Sequence, residues 1–317
     1  MERAALAAGL GPFPLALAFH GMAAARAVVA GEELGIYARL ARGPLPAPEL
    51  GGAGVEHLLD ALVELGVLRR DSASRYRLAR RAARWLDPAS PTCIGDFLRF
   101  NRVQWDWWTR LDEVVAGKIP PFDLHRLPPE DPIWPLYGRA MRALARIAAP
   151  EVARAVKVPR PAARLLDVGG AHGLYAAAIC ARHPGLRAVV VDLPGAVRAS
   201  LEPVEFLEGD ALSIELPQAD AIYCGQLVRH FAPEQVAALF ARFHRALRPG
   251  GTVNVLDTFP AGDPLVALHY HLVSGVARFT ADDAGRWLRE AGFRDLRRAR
   301  IRRLPGATLL SARRAAR

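Results

Sequence analysis

Two acids and a cluster of glycines in the middle of the chain have the spacing of a ligand site. Asp167 stands in an apolar run, Leu165-Leu166-Asp167-Val168, and is followed by Gly169, Gly170 and Gly173. Small residues come next, Ala176, Ala177 and Ala178. The pattern predicts a buried strand, a tight turn and a helix start. Such a turn can bring backbone N–H groups against a ligand, because glycine puts no Cβ in the way and the first helical N–H groups lack partners. A dinucleotide fingerprint, G-x-G-x-x-G, does not fit, since counting from Gly169 puts Ala171 and Leu174 where glycines are needed. The spacing D-x-G-x-G-x-G fits with one departure, again Ala171. Taken alone, the loop is equally compatible with an ordinary strand-to-helix turn. The second acid is Asp192. Ala188-Val189-Val190-Val191-Asp192 reads as another buried strand with an acid at its end, 19 residues beyond Gly173. A carboxylate at that place in a βαβ unit can accept both hydroxyls of a ribose.

Leu193-Pro194 stops the second strand, and Gly209-Asp210-Ala211 follows a further short apolar run, residues 204–207. In this order the segments resemble the patterns VDVGGGxG, VVxDLP and GDxF of the class I small-molecule O-methyltransferases that use S-adenosylmethionine, of the plant caffeate and bacterial natural-product type. The resemblance extends over essentially the whole chain. It implies S-adenosylmethionine as cofactor and S-adenosylhomocysteine as product. It also implies a cofactor site made of Asp167, Gly169, Gly170, Gly173, Asp192, Leu193, Gly209, Asp210, Ala211 and Gly225, with Asp192 on the ribose and Asp210 near the adenine.

The sequence departs from the resembled family where the base should be. Plant-type members carry a histidine base in a pattern like DAIFMKWICHDW. Residues 220–231 align with it without a gap and put Arg229 on the base position and His230 beside it. The supporting Glu of a pattern like GGKERT falls on Arg278. Arginine stays protonated at neutral pH and cannot be a base. Three readings stay open. The nucleophile needs no base; or His230, His269 or His271 supplies one from a shifted position; or methyl transfer is lost and the fold binds ligand or runs another reaction. Two arginines would suit an anionic substrate, although in a chain this rich in arginine they could equally face solvent, and His230 could be a helix-edge residue packing on Phe231. Candidate substrate contacts are Trp105, Trp108, Met141, His269, His271 and Arg278. Met141 matches a ligand-contacting Met of the family, and Trp105 and Trp108 share a helix face.

The elements that must position these residues fall into three segments. Residues 1–100 begin with an apolar helix over 15–41, broken by Gly43, Pro44, Pro46 and Pro48. A second helix, 55–65, and a hairpin, 67–70 with 76–78, complete a winged-helix-like unit. Its candidate reading helix carries Glu56, Asp60 and Glu64 and no Lys or Arg, so DNA phosphates would repel it. The resemblance makes this unit a dimerisation domain that closes the partner's pocket. Residues 101–160 form an aromatic-rich helical connector, with His125 in a Pro-rich loop. Residues 161–317 alternate strands and helices as a doubly wound, Rossmann-like α/β sheet with its ligand at the strand carboxyl ends. Strands are expected at 165–168, 188–191, 204–207, 220–224 and 251–256, with a closing antiparallel pair at 301–304 and 308–311. Helices are expected at 235–247, closed by Pro249-Gly250-Gly251, and at 281–291. The segment between Asp192 and Asp210 is shorter than the family's, which implies a truncated helix there.

Composition bounds the partners. The 317 residues carry a net charge of +10, yet of the 42 Lys and Arg residues only Lys118 and Lys157 are lysine. That bias, with abundant Ala, Gly and Pro, points to GC-rich coding rather than to a nucleic-acid site, and the run 297–303 suits a solvated strand edge. Cys93, Cys180 and Cys224 make neither a CxxC metal pair nor an even disulfide set, consistent with a reducing cytoplasm. No apolar run approaches a membrane span. The stretch 4–19 is interrupted by Gly9, Gly11, Pro12 and Pro14 and is not expected to be a signal peptide. The sequence therefore predicts a cytoplasmic, homodimeric methyltransferase acting on a small aromatic, natural-product-like molecule at O, N or C, without metal, membrane or nucleic acid.

Overall fold

The computed structural model describes residues 16–196, 204–259, 263–275 and 279–316, with His125 by its backbone alone. Arg278 lies outside the described residues, as do the segment expected to hold a truncated helix and most of the apolar N-terminal stretch. The chain divides into two compact units, Met1–Gln104 and Trp105–Arg317.

In the first unit the helix expected over 15–41 is divided. A π turn, Leu17–Gly21, leads into α1, Met22–Glu33, and a short α2, Ile36–Leu40, follows. Gly35 interrupts the run with φ +66°, a left-handed conformation that helix periodicity alone does not reveal. Leu17, Phe19 and Met22 remain more than half exposed within the chain. The proline-rich break contains a strand the sequence reading missed. β1, Leu45–Pro46, pairs antiparallel with β3, Arg75–Leu78, which also pairs with β2, Leu68–Arg70. α3, Val55–Glu64, buries Val55, Leu59 and Leu62 at i, i+4 and i+7 and turns Glu56, Asp60 and Glu64 outward. Asp60 accepts a 2.8 Å hydrogen bond from the Tyr76 hydroxyl, tying the helix to the hairpin. α4, Arg80–Leu86, follows the hairpin, and α5 spans Gly95–Trp108.

The second unit is a seven-stranded sheet between helical layers. After α6, Leu111–Val115, and the long α7, Ile133–Ala155, come β4, Arg164–Val168; α8, Leu174–Cys180; β5, Arg187–Asp192; β6, Val204–Glu208; β7, Ala219–Gly225; α9, Pro233–Ala246; β8, Leu247–Asp257; α10, Pro264–Ser274; α11, Ala281–Glu290; β9, Phe293–Arg300; and β10, Thr308–Arg314. The strand order is β6-β5-β4-β7-β8-β10-β9, parallel from β6 to β8 and antiparallel beyond. β4 is the centre. Leu166 and Val168 face a core completed by Val236, Phe240 and Phe243 of α9 and Leu288 of α11, whereas Leu165 faces one completed by Val152 of α7 and Ile179 of α8. Each such fully buried side chain contributes about 1.5–3 kcal/mol of hydrophobic stabilisation.

Two expectations are corrected. Pro249-Gly250-Gly251 does not close the helix but lies within β8, where pairing jumps from Ala219↔Leu247 to Ala221↔Thr252. A strand can carry these residues at an irregularity, where ladder hydrogen bonds are already missing. The closing pair is β9 with β10, while residues 301–304 form a turn in which the Leu304 N–H donates to the Ile301 carbonyl at 3.1 Å. The signal was masked because β9 is a sheet edge: most of its side chains are exposed, including Arg294, Arg297, Arg298 and Arg300, so it shows no apolar alternation. Among the described residues no helix is long and apolar enough to cross a membrane.

Candidate active site

From β4 the chain builds outward through β5 to β6, then returns to the other side of β4 with β7. The strand order therefore reverses between β4 and β7, and the crevice outside their carboxyl ends is where such sheets bind ligands. The glycine loop fills this place. Gly169 has φ +73° and Gly173, which starts α8, has φ +70°. Between them Ala171 takes φ +39°. The departure from the glycine pattern is thus accommodated in the left-handed region at a cost of about 1 kcal/mol. Gly170 is required for a different reason, since a Cβ there would fall 2.5 Å from Cγ of Asp167.

Asp192, at the end of β5, organises the loop. Its carboxylate accepts from the N–H groups of Ala171 and Leu193, both at 2.8 Å, and its carbonyl accepts from the Gly209 N–H at 2.9 Å. Asp210 in turn accepts from the Leu212 N–H at 2.9 Å. The result is a pocket of about 570 Å³ whose walls include Gly169, Asp192, Leu193, Gly209, Asp210, Ala211 and His230. Six of the ten expected cofactor residues therefore meet in one cavity with one expected catalytic residue. Asp167, Gly170, Gly173 and Gly225 do not line it. Within the loop Gly170 packs over the Asp167 carboxyl and Gly173 faces Phe206, while Gly225 ends β7, where an added Cβ would collide with the Tyr223 hydroxyl.

The buried polar side chains without a well-formed hydrogen bond concentrate here. Among the described residues these atoms are both carboxylate oxygens of Asp167, the Tyr223 hydroxyl, Nε2 of Gln226 and Nε of Arg229, all on β4, β7 or the turn after β7. Asp167 is fully buried, and burial, with Asp192 adding repulsion, pushes its pKa up to about 8. An uncompensated buried carboxyl costs stability unless a ligand supplies donors or positive charge.

The residues after β7 place Arg229 and His230. Arg229 sits on a one-turn 3₁₀ helix, Val228–His230, and its Nη1 lies 3.4 Å from Oδ1 of the fully buried Asp257. Its backbone N–H also donates to Asp257, at 3.2 Å, and its guanidinium stacks 4.5 Å above the Tyr270 ring. Its charge is therefore matched by Asp257 inside the protein. Asp257 has its pKa raised to about 6 by burial, with Arg229 opposing the rise. His230 lines the pocket, its Nδ1 2.6 Å from Oγ of Ser274 and its ring edge-on to Tyr270 at 5.3 Å.

The expected substrate contacts split. Trp108 and His269 stack at 5.9 Å, and His269 packs edge-on to Tyr270. Burial lowers the His269 pKa to about 4, with Arg229 adding to the effect, so its ring is neutral at pH 7. Trp105, Met141 and His271 do not line the cofactor pocket. Met141 instead has its carbonyl against His172, whose pKa burial holds down to about 4. Among the described residues no group of three or more His, Cys, Asp or Glu could hold a metal ion.

The O-methyltransferase domain family matches residues 116–298. Tetracenomycin polyketide synthesis 8-O-methyl transferase TcmO of Streptomyces glaucescens is 32% identical, with 89% of this chain and 91% of that protein covered. The N,N-dimethyltransferase OxyT of Streptomyces rimosus is 31% identical, with 94% of each covered. The chain belongs to the O-methyltransferase family. Its fold agrees with that of human N-acetylserotonin methyltransferase, solved in complex with S-adenosylmethionine, at TM-score 0.82 and 23% identity over 95% of this chain and 97% of that one.

The methyltransferase uses S-adenosylmethionine, which when bound supplies a methyl group on a positively charged sulfur. The residues present fit that group: Asp192 and Asp210 line a cavity beside the glycine loop, and the buried Asp167 carboxyl under that loop has no well-formed hydrogen bond. The sequence reading missed Asp257, Tyr270 and Ser274, which set the surroundings of Arg229 and His230. Tyr137 of α7 is held up to about pKa 12, chiefly by burial, and feels the charges of Asp192 and Arg229. Tyr137 lies four residues before Met141 and so shares its helix face.

Proposed function

We propose that this methyltransferase methylates a hydroxyl or amino group on a small aromatic natural product, with His230 as the base. The observation that carries the reading is His230 itself. It shares a pocket wall with Asp192 and Asp210, and Ser274 fixes its Nδ1. If Nδ1–H donates to Ser274, Nε2 carries the lone pair and can take the proton of the attacking group. The aromatic residues Trp108, His269 and Tyr270, together with Trp105, Met141 and Tyr137, suit a flat acceptor. TcmO and OxyT, named for O- and N,N-methylation, support that class. Arg229 acts through Asp257 and Tyr270 as a positioning residue. His230→Gln is expected to lower kcat by on the order of 10²–10⁴ while leaving S-adenosylhomocysteine affinity unchanged. Full activity with a pH-independent rate in this variant would instead favour a nucleophile that needs no base.

The same reading extends to assembly. Residues 1–100 serve as the dimerisation domain, residues 101–160 as the connector and 161–317 as the catalytic domain of a cytoplasmic homodimer. The exposed Leu17, Phe19 and Met22 support this, as does the acidic outer face of α3, which disfavours DNA. Light scattering at micromolar concentration is expected to give a dimer that Leu17→Glu/Phe19→Glu converts to monomer. A monomeric wild type would contradict it.

A further inference from the structure

His172 belongs to the glycine loop but does not line the pocket. Its Nδ1 accepts from the Leu174 N–H at 3.1 Å. Leu174 is the first residue of α8, and Gly173 before it has no side chain to cap the helix, so His172 supplies the cap from one residue further back. The Ala171 N–H on the other side donates to Asp192, so His172 and Asp192 hold this stretch of loop between them. The rest of the imidazole is turned elsewhere. It tilts over Tyr175, with ring centroids 6.1 Å apart, and the Met141 carbonyl of α7 lies against it. Burial, with Arg142 adding to it, keeps the ring neutral at pH 7, with one proton. Nδ1 is in use as an acceptor, which leaves that proton on Nε2 for the Met141 carbonyl. A cap alone needs only the acceptor, and Ser, Asp or Asn would supply it in less space. The second nitrogen makes His172 a two-ended link of fixed tautomer between the glycine loop and α7. Along α7, Trp134, Tyr137 and Met141 recur at i, i+3 and i+7 and share one face. Trp134 packs on the chain just beyond Asp192, where a Cβ added to Gly195 would fall 2.6 Å from the indole Nε1. Tyr137 feels the charges of Asp192 and Arg229. One helix therefore touches the loops after β4 and β5 and comes within electrostatic range of Arg229.

We propose that His172 is a positioning residue that couples the glycine loop to α7, so that cofactor binding at the loop orders the helix that passes Arg229. The proposal rests on the S-adenosylmethionine site described above. Two variants divide the functions of the ring. In His172→Asn the amide oxygen stands where Nδ1 stood and keeps the cap, while the donor to Met141 is lost. In His172→Gln the amide nitrogen reaches as far as Nε2 and keeps the link, while the cap acceptor is lost. Hydrogen exchange of the α7 backbone, read by mass spectrometry with and without S-adenosylhomocysteine, measures the coupling. In wild type and His172→Gln the probe is expected to slow exchange over residues 133–145 roughly three- to tenfold, the size of one hydrogen bond. His172→Asn is expected to bind S-adenosylhomocysteine with wild-type affinity in calorimetry and to show no slowing of α7. A His172→Asn variant whose α7 is slowed as in wild type would overturn the proposal and leave His172 a helix cap. Loss of S-adenosylhomocysteine binding in His172→Asn would overturn it too, since the residue would then hold up the loop itself. A wild-type protein that does not bind S-adenosylhomocysteine would overturn the cofactor site, and the coupling with it.

Discussion

Asp167→Asn is expected to make the protein more stable and worse at binding its cofactor. The sign follows from the raised pKa. Between about pH 4 and pH 8 the folded protein holds a proton on Asp167 that the unfolded chain has released, so stability falls as pH rises through that window. His172 and His269 act oppositely, since their lowered pKa values make stability rise between about pH 4 and pH 6.5. Asp257 contributes a fall that ends near pH 6. The interval from pH 6.5 to 8 therefore isolates Asp167. Thermal melts of the cofactor-free protein should show the melting temperature falling across it in wild type and flat in Asp167→Asn. S-adenosylmethionine affinity of the variant should drop by roughly a hundredfold, the loss of a buried charge-assisted contact. A variant that binds as tightly as wild type would remove Asp167 from the cofactor site.

The second large effect is at Asp257. The side chain is fully buried, lies 3.4 Å from the Arg229 guanidinium and also accepts from the Thr258 N–H at 2.8 Å. Asp257→Ala strands a buried guanidinium that cannot lose its proton, so a cost of about 3–5 kcal/mol is expected in chemical denaturation. Arg229→Met should cost less, because the remaining Asp257 carboxyl can neutralise itself by binding a proton. The asymmetry is the diagnostic. If Asp257→Ala were nearly neutral while Arg229→Met raised KM for the acceptor, Arg229 would be serving a substrate anion, as its family position suggested from sequence.

The candidate cofactor pocket could be assembled from sequence because its parts are written locally. Strand, glycine turn and strand-end acid are contiguous signals, and the backbone hydrogen bonds from Ala171 and Leu193 to Asp192 are made within one βαβ unit. The acceptor half could not, because it is assembled from distant elements. Arg229 could be placed in a family pattern, but its partner Asp257 comes from the end of another strand and Tyr270 from a helix beyond it. On α10 the histidines His269 and His271 drew attention, yet Tyr270 between them carries the contacts to both Arg229 and His230. The same limit applied to the fold. The Arg-rich edge strand β9 shows no alternation to read, and Leu45–Pro46 is too short to be seen as a strand without the hairpin it joins.

Titration of S-adenosylmethionine into the wild-type protein at pH 7, in two buffers of different ionisation enthalpy, tests the central claim most directly. The cationic cofactor needs an ionised carboxylate, and Asp167 in the empty site is mostly protonated at this pH. Binding should therefore release close to one proton per site, and Asp167→Asn should release none. Tight binding without proton release in wild type would contradict the account, and so would no binding at all.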